Sequence, residues 1–126
     1  MTPFTLEPVD GIYAIARLAE DAMVPRWAWA GAFACVARTP NEVSIVCDEG
    51  AVPAGVTAVR GFRMMRVAGT IDFAVTGVVR SLTVPLAEAG IPVFVVSTHD
   101  TDYLLVKAER YDDARAAWSR AGIQTR

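Results

Sequence analysis

The chain has 126 residues, 53% of them hydrophobic and 21% charged, which is one ordinary domain or two very small ones with enough apolar surface for a core. Twelve basic residues face fourteen acidic ones, and the net charge of −2 leaves no electrostatic footprint for nucleic acid or an anionic membrane surface. No apolar run approaches the roughly 18 residues that span a bilayer, and the first residues lack the basic and apolar segments of a secretory signal, so a cytoplasmic protein is expected.

In chain order, residues 4–8 offer a short strand and residues 12–18 a longer one. Residues 25–29 read as a short helix. Residues 33–38 and 43–47 read as a hairpin joined through Thr39-Pro40-Asn41-Glu42. Cys35 and Cys47 sit inside these two apolar runs, outside any CxxC pair, and read as buried thiols, with a disulfide left open. No full second helix is visible in this half. The Gly- and Pro-bearing stretch Glu49-Gly50-Ala51-Val52-Pro53-Ala54-Gly55 punctuates the middle, and a soft boundary near residue 58 divides the chain into 1–58 and 59–126.

The second part is clearer. Residues 61–67 read as a strand. Residues 76–89 read as a helix, with Val78, Val79, Leu82, Leu86 and Ala89 at spacings of three and four and Gly90 just past its end. Pro85 is expected to bend its last turn. Residues 91–97 and 102–107 are strands joined by a turn at 98–101. Residues 111–121 are a helix with Tyr111, Ala114, Trp118 and Ala121 on its apolar face and Asp112 and Asp113 in its first turn. A short tail follows. This order is most of a split βαβ, ferredoxin-like unit: α+β, an antiparallel sheet with helices on one face. Residues 91–97 and 102–107 are apolar almost throughout, so the second sheet face is expected to be covered too, by the first half or by another chain.

Catalytic sets are sparse. His99 is the single histidine, which rules out a multi-histidine metal cluster, and no metal or cofactor is expected. There is no GxSxG elbow, P-loop or GxGxxG. Trp27, Trp29 and Trp118 read as core or interface fillers, because base stacking needs a basic groove. The strongest polar cluster is Ser97-Thr98-His99-Asp100-Thr101-Asp102. A turn needs only part of it, and Asp102 opens a core strand, where a carboxylate wants a partner: a bound ammonium or guanidinium, Arg38, or Arg66. The second cluster is Thr76-Gly77-Val78-Val79 at a helix start, whose free N–H groups suit a carboxylate; the bland reading is a Thr cap beside a packing glycine.

The runs Phe73-Ala74-Val75-Thr76-Gly77-Val78-Val79-Arg80-Ser81-Leu82, Pro85 to Thr98, and Asp100-Thr101-Asp102-Tyr103-Leu104-Leu105-Val106 resemble an ACT domain. More closely, the chain resembles small bacterial tandem-ACT proteins, related to the ACT modules of aspartate kinases and of CASTOR-type arginine sensors. Ala16-Arg17-Leu18, Pro25-Arg26-Trp27, Arg38 to Cys47 and Val52-Pro53 extend the likeness through the first half. The resemblance implies βαββαβ units in tandem, the first degenerate, and a non-catalytic regulatory protein that binds an amino acid where two units meet. It implies Thr76, Gly77 and Val78 on the carboxylate, Thr98, His99 and Asp102 on the ammonium or a basic side chain, and Val43 and Ser44 from the other half. With no kinase among these residues, the signal is expected to pass through oligomeric state, as in a homodimer, or through an effector protein. The rival expectations are an interaction module with a degenerate pocket, and a small enzyme using His99 with Asp100 or Asp102.

Overall fold

The computed structural model describes residues 4–126. The chain forms two compact units, Asp10–Phe62 and the chain up to Val9 together with Arg63–Arg126. The sequence places a boundary near 58; the chain passes between units twice, once inside each of two long strands. These are β1 (Thr5–Leu18) and β4 (Ala58–Val67), and each gives one part to each unit.

In the unit Asp10–Phe62, β2 (Cys35–Arg38) and β3 (Val43–Asp48) form the expected antiparallel hairpin. Thr39 closes its turn: its Oγ1 accepts from the N–H groups of Asn41 and Glu42, both at 3.1 Å. The strand order is β2-β3-β1-β4. The connections that a ferredoxin-like unit fills with helices hold only short 3-10 turns, Arg26–Trp29 and Glu49–Ala51. This explains why no helical period is readable there. Its core gathers Ala14, Ala16, Val43, Ile45 and Cys47 from the strands and Ala28 from the first 3-10 turn.

Both cysteines are free. Cys47 is fully buried; burial, then the neighbouring Asp48 carboxylate, push its thiol above the ordinary thiol range. The neutral form is the one the fold favours. Below about pH 9 both folded and unfolded chains carry it, and above that the unfolded chain ionises first, so Cys47 weakens the fold only on the alkaline side. A thiol reagent at pH 8 is expected to modify the half-buried Cys35 quickly and Cys47 only after urea is added, read by counting modified thiols.

The other unit carries both helices, α1 (Val78–Glu88) and α2 (Tyr111–Arg120), and the strands β5 (Phe94–Ser97), β6 (Asp102–Lys107) and β7 (Gln124–Thr125). The sheet order here is β5-β6-β4-β1, with β7 on β1. The short tail thus becomes the last strand of a βαββαβ run, with the start of β1 lying between β4 and β7. The β1–β7 pair is parallel, Thr5 opposite Gln124 and Leu6 opposite Thr125. The two segments read separately at 4–8 and 12–18 are one strand, because β7 pairs with one end of it and β3 with the other, through Tyr13 to Leu18.

The α1 stripe is Val78, Leu82 and Leu86, four residues apart. Val79 and Ala89, expected on it, are exposed. Pro85 lies inside α1 without ending it. On α2 the buried face is Tyr111, Ala114, Ala117 and Trp118, with Ala117 in place of the expected Ala121. Both helices end on the same Ala-Gly-Ile signature. Gly90 and Gly122 take φ of +70° and +82°, and the next isoleucine donates back across the turn, Ile91 N–H to Leu86 O at 2.8 Å and Ile123 N–H to Trp118 O at 2.9 Å. Each isoleucine then buries its side chain in the core under the helices. Met65, Val67, Leu104 and Val106 meet the helices from the sheet. Met64 and Leu105, alternate residues on β4 and β6 and so on the opposite face, are also fully buried, as a sheet apolar on both faces requires. Trp118 is buried as expected, whereas Trp29 is 59% exposed.

Candidate functional site

The site lies within the unit that holds both helices, where the start of α1 and the β5–β6 turn line one pocket of about 460 Å³. Gly77 is the N-cap residue of α1 and stands at φ +78°, a left-handed conformation, and no side chain caps the helix. Thr76 precedes the cap without filling it. The first helical bond runs from Ser81 N–H to Gly77 O at 2.9 Å. The N–H groups of Val78, Val79 and Arg80 come before it, point along the helix axis and have no intrahelical acceptor. They form the positive end of the helix dipole at the pocket wall. A Cβ on Gly77 would meet nothing within 4 Å, so Gly77→Ala carries only the backbone penalty, about 1–2 kcal/mol, measurable as a lower urea midpoint.

The opposite contribution is the turn. Thr98 N–H donates to Thr101 O at 2.8 Å, and Thr101 Oγ1 donates to Val67 O at 2.8 Å, which anchors the turn to β4. His99 Nδ1 and Asp100 Oδ1 are 2.9 Å apart, with the two side chains 99% and 64% exposed. Ile71 N–H donates to Asp100 O at 2.7 Å and ties the β4–α1 loop to the turn. Asp102 opens β6 opposite Ser97 and is only 8% exposed, yet it lines the pocket.

The two arginines considered for Asp102 are engaged elsewhere. Arg38 donates to the carbonyls of Glu20 and Ala22 at 2.8 and 2.7 Å. Arg66 donates to Glu7 Oε1 at 3.0 Å and Gly69 O at 3.2 Å, and Tyr103 and Glu7 hold its guanidinium above its ordinary pKa. Among the described residues the Asp102 carboxylate has no hydrogen-bond or ion-pair partner.

Of the residues singled out from the sequence, Gly77, Val78, Thr98, His99 and Asp102 line this pocket, and Thr76 adjoins Gly77. Val43 and Ser44 stand on β3 of the other unit; Val43 is fully buried in that unit's core and Ser44 is half-buried. Val79 of the helix-start cluster lines the pocket too, and sequence reasoning missed Ile71, Asp72, Phe73, Val75 and Arg80 on the same wall. The available signal was a large apolar residue, Phe73, in a loop with no strand or helix period. Among the described residues no group of three or more His, Cys, Asp or Glu could hold a metal ion, and no helix is long and apolar enough to cross a membrane.

Residues 57–117, which contain every residue lining the pocket, match the family model of the ACT domain. The chain carries an ACT domain. A second family model, of an N-terminal domain, matches residues 11–55. The ACT-domain chain is 35% identical to a structural-genomics protein of Agobacterium tumefaciens, over 100% of this chain and 94% of that one, with a TM-score of 0.94. The regulatory subunit of aspartate kinase from Thermus thermophilus is 12% identical, over 88% of this chain and 93% of that one, at a TM-score of 0.60. The aspartate kinase of Clostridium acetobutylicum is 10% identical, over 89% of this chain and 33% of the enzyme, at 0.66; these two likenesses are of fold. No curated protein sequence matches the chain.

Proposed function

We propose that this ACT-domain protein binds an α-amino acid in the pocket between the α1 start and the β5–β6 turn, and acts as a non-catalytic regulatory module. One observation carries the reading: Asp102, a residue only 8% exposed, lines the same pocket as an uncapped helix N-terminus, and its carboxylate meets the pocket with no partner among the described residues. A buried charge needs a counter-charge, and an ammonium group supplies it. The free N–H groups of α1, with the Arg80 guanidinium on the same wall, suit the carboxylate at the other end of a zwitterion. Thr76, Gly77 and Val78 then serve the carboxylate, and Thr98, His99 and Asp102 the ammonium.

The fold likeness to the regulatory subunit of an aspartate kinase supports a regulatory role, and so does the pocket itself. His99 and Asp100 face solvent, which gives acid–base chemistry no water-excluded setting. The signal would leave through a homodimer or an effector protein, and the two free cysteines suit the reducing cytoplasm. Thermal denaturation of the protein against each of the twenty amino acids tests the reading. At least one is expected to raise the melting temperature in a concentration-dependent way. No shift with any of them, and no heat by calorimetry, removes it.

A further inference from the structure

We infer that the amino acid taken by this pocket has an apolar side chain, and that Phe73 is the residue that reads it; this rests on the amino-acid reading above. The polar groups of the wall are largely committed within the chain. Asp72 Oδ1 accepts from Ala74 N–H at 2.8 Å. His99 and Asp100 pair with each other. The Thr98 and Thr101 hydroxyls bond to carbonyls of Thr101 and Val67. What remains on the wall, among the described residues, is the Asp102 carboxylate, the Arg80 side chain, the Ser97 hydroxyl and the free N–H groups of α1, while the Asp72 and Asp100 carboxylates and Ser97 are exposed to water. Asp102, Arg80 and the α1 N–H groups complement a zwitterionic head, and the other polar groups of the wall are exposed to water, so none offers a polar side chain a buried charge or amide.

The rest of the wall is carbon. Phe73 is 100% exposed, Val75 44% and Val79 42%, and all three line this one pocket beside Ile71. Large exposed apolar side chains collected around a single pocket mark a binding surface, because each gains by leaving water when the occupant arrives. The loop that presents Phe73 is held in place by Ile71 N–H on Asp100 O and by the Asp72 side chain. Phe73 is therefore displayed on a fixed support next to the charged end of the pocket. The volume of about 460 Å³ falls in the range of small-molecule sites.

Calorimetry with alanine, norvaline, leucine and phenylalanine, and with lysine, glutamate and glutamine, tests this on the wild type and on Phe73→Ala. Phe73 is fully exposed, so the variant is expected to melt with the wild type. Affinity is expected to rise up to about fourfold per methylene from alanine to norvaline. Phe73→Ala is expected to weaken leucine about tenfold and to leave alanine within about twofold. If lysine, glutamate or glutamine binds more tightly than leucine, or if Phe73→Ala changes every ligand equally, the apolar assignment is overturned while the amino-acid pocket stands. If none of the amino acids binds, both fall.

Discussion

Asp102→Asn is expected to weaken amino-acid binding strongly while leaving the unliganded protein as stable as the wild type, or more so. Asp102 is 8% exposed as a residue and neither Arg38 nor Arg66 reaches it, since Arg38 serves two carbonyls and Arg66 serves Glu7 and Gly69. A partly desolvated charge without a partner weakens the fold that holds it, and an amide of the same shape relieves that cost by up to about 1 kcal/mol. Ligand binding should move the other way. Removing one member of a desolvated charge pair costs about 2–3 kcal/mol, a loss of roughly 30- to 150-fold in affinity. Opposite signs for stability and binding separate a ligand-holding residue from a structural one. Urea denaturation gives the first and calorimetry the second. A variant that binds as the wild type does, or that unfolds far more easily, would assign Asp102 to the core instead.

Trp118→Ala is expected to give the largest loss of stability, about 3–5 kcal/mol, a large share of what a domain of this size has. The side chain is fully buried, and its Nε1–H donates to Leu82 O at 2.9 Å, which joins α2 to α1. It lies in the core with Leu82, Leu86 and Leu104, so truncation leaves a cavity among side chains held by two helices and a sheet. Trp118→Phe keeps most of the volume and removes the hydrogen bond, for a loss of about 1–2 kcal/mol. The urea midpoint at constant slope measures both. A loss below 1 kcal/mol for Trp118→Ala would mean that α1 and α2 are not coupled through this residue.

Most of the unit bearing α1 and α2 was legible because its signals are local. Leu82 and Leu86 repeat at helical spacing, Gly90 and Gly122 end the helices, and 102–107 is apolar with a polar turn before it. The errors are at positions where packing decides. Val79 and Ala121 satisfy a helical period, yet the helix faces buried in the core pass beside them, and Val79 lines the pocket instead. Ile91, Pro92 and Val93 read as strand and precede it, because the Ile91 N–H closes the end of α1 rather than joining a sheet. In the unit Asp10–Phe62 the helix signals are absent because the structure has only 3-10 turns there.

By itself the sequence determined the order of elements, the glycine that opens α1, the glycines that close both helices, and a carboxylate at the head of β6 that lacked an obvious partner. These follow from backbone stereochemistry and from side-chain period, which act over a few residues. Tertiary structure alone decided that residues 5–18 run as one strand, that the tail pairs with its beginning, that Arg38 and Arg66 turn away from Asp102, and that Phe73, Val75 and Val79 gather around it. Those outcomes depend on which distant groups reach each other first with good geometry, and a chain written in one dimension does not carry that distance.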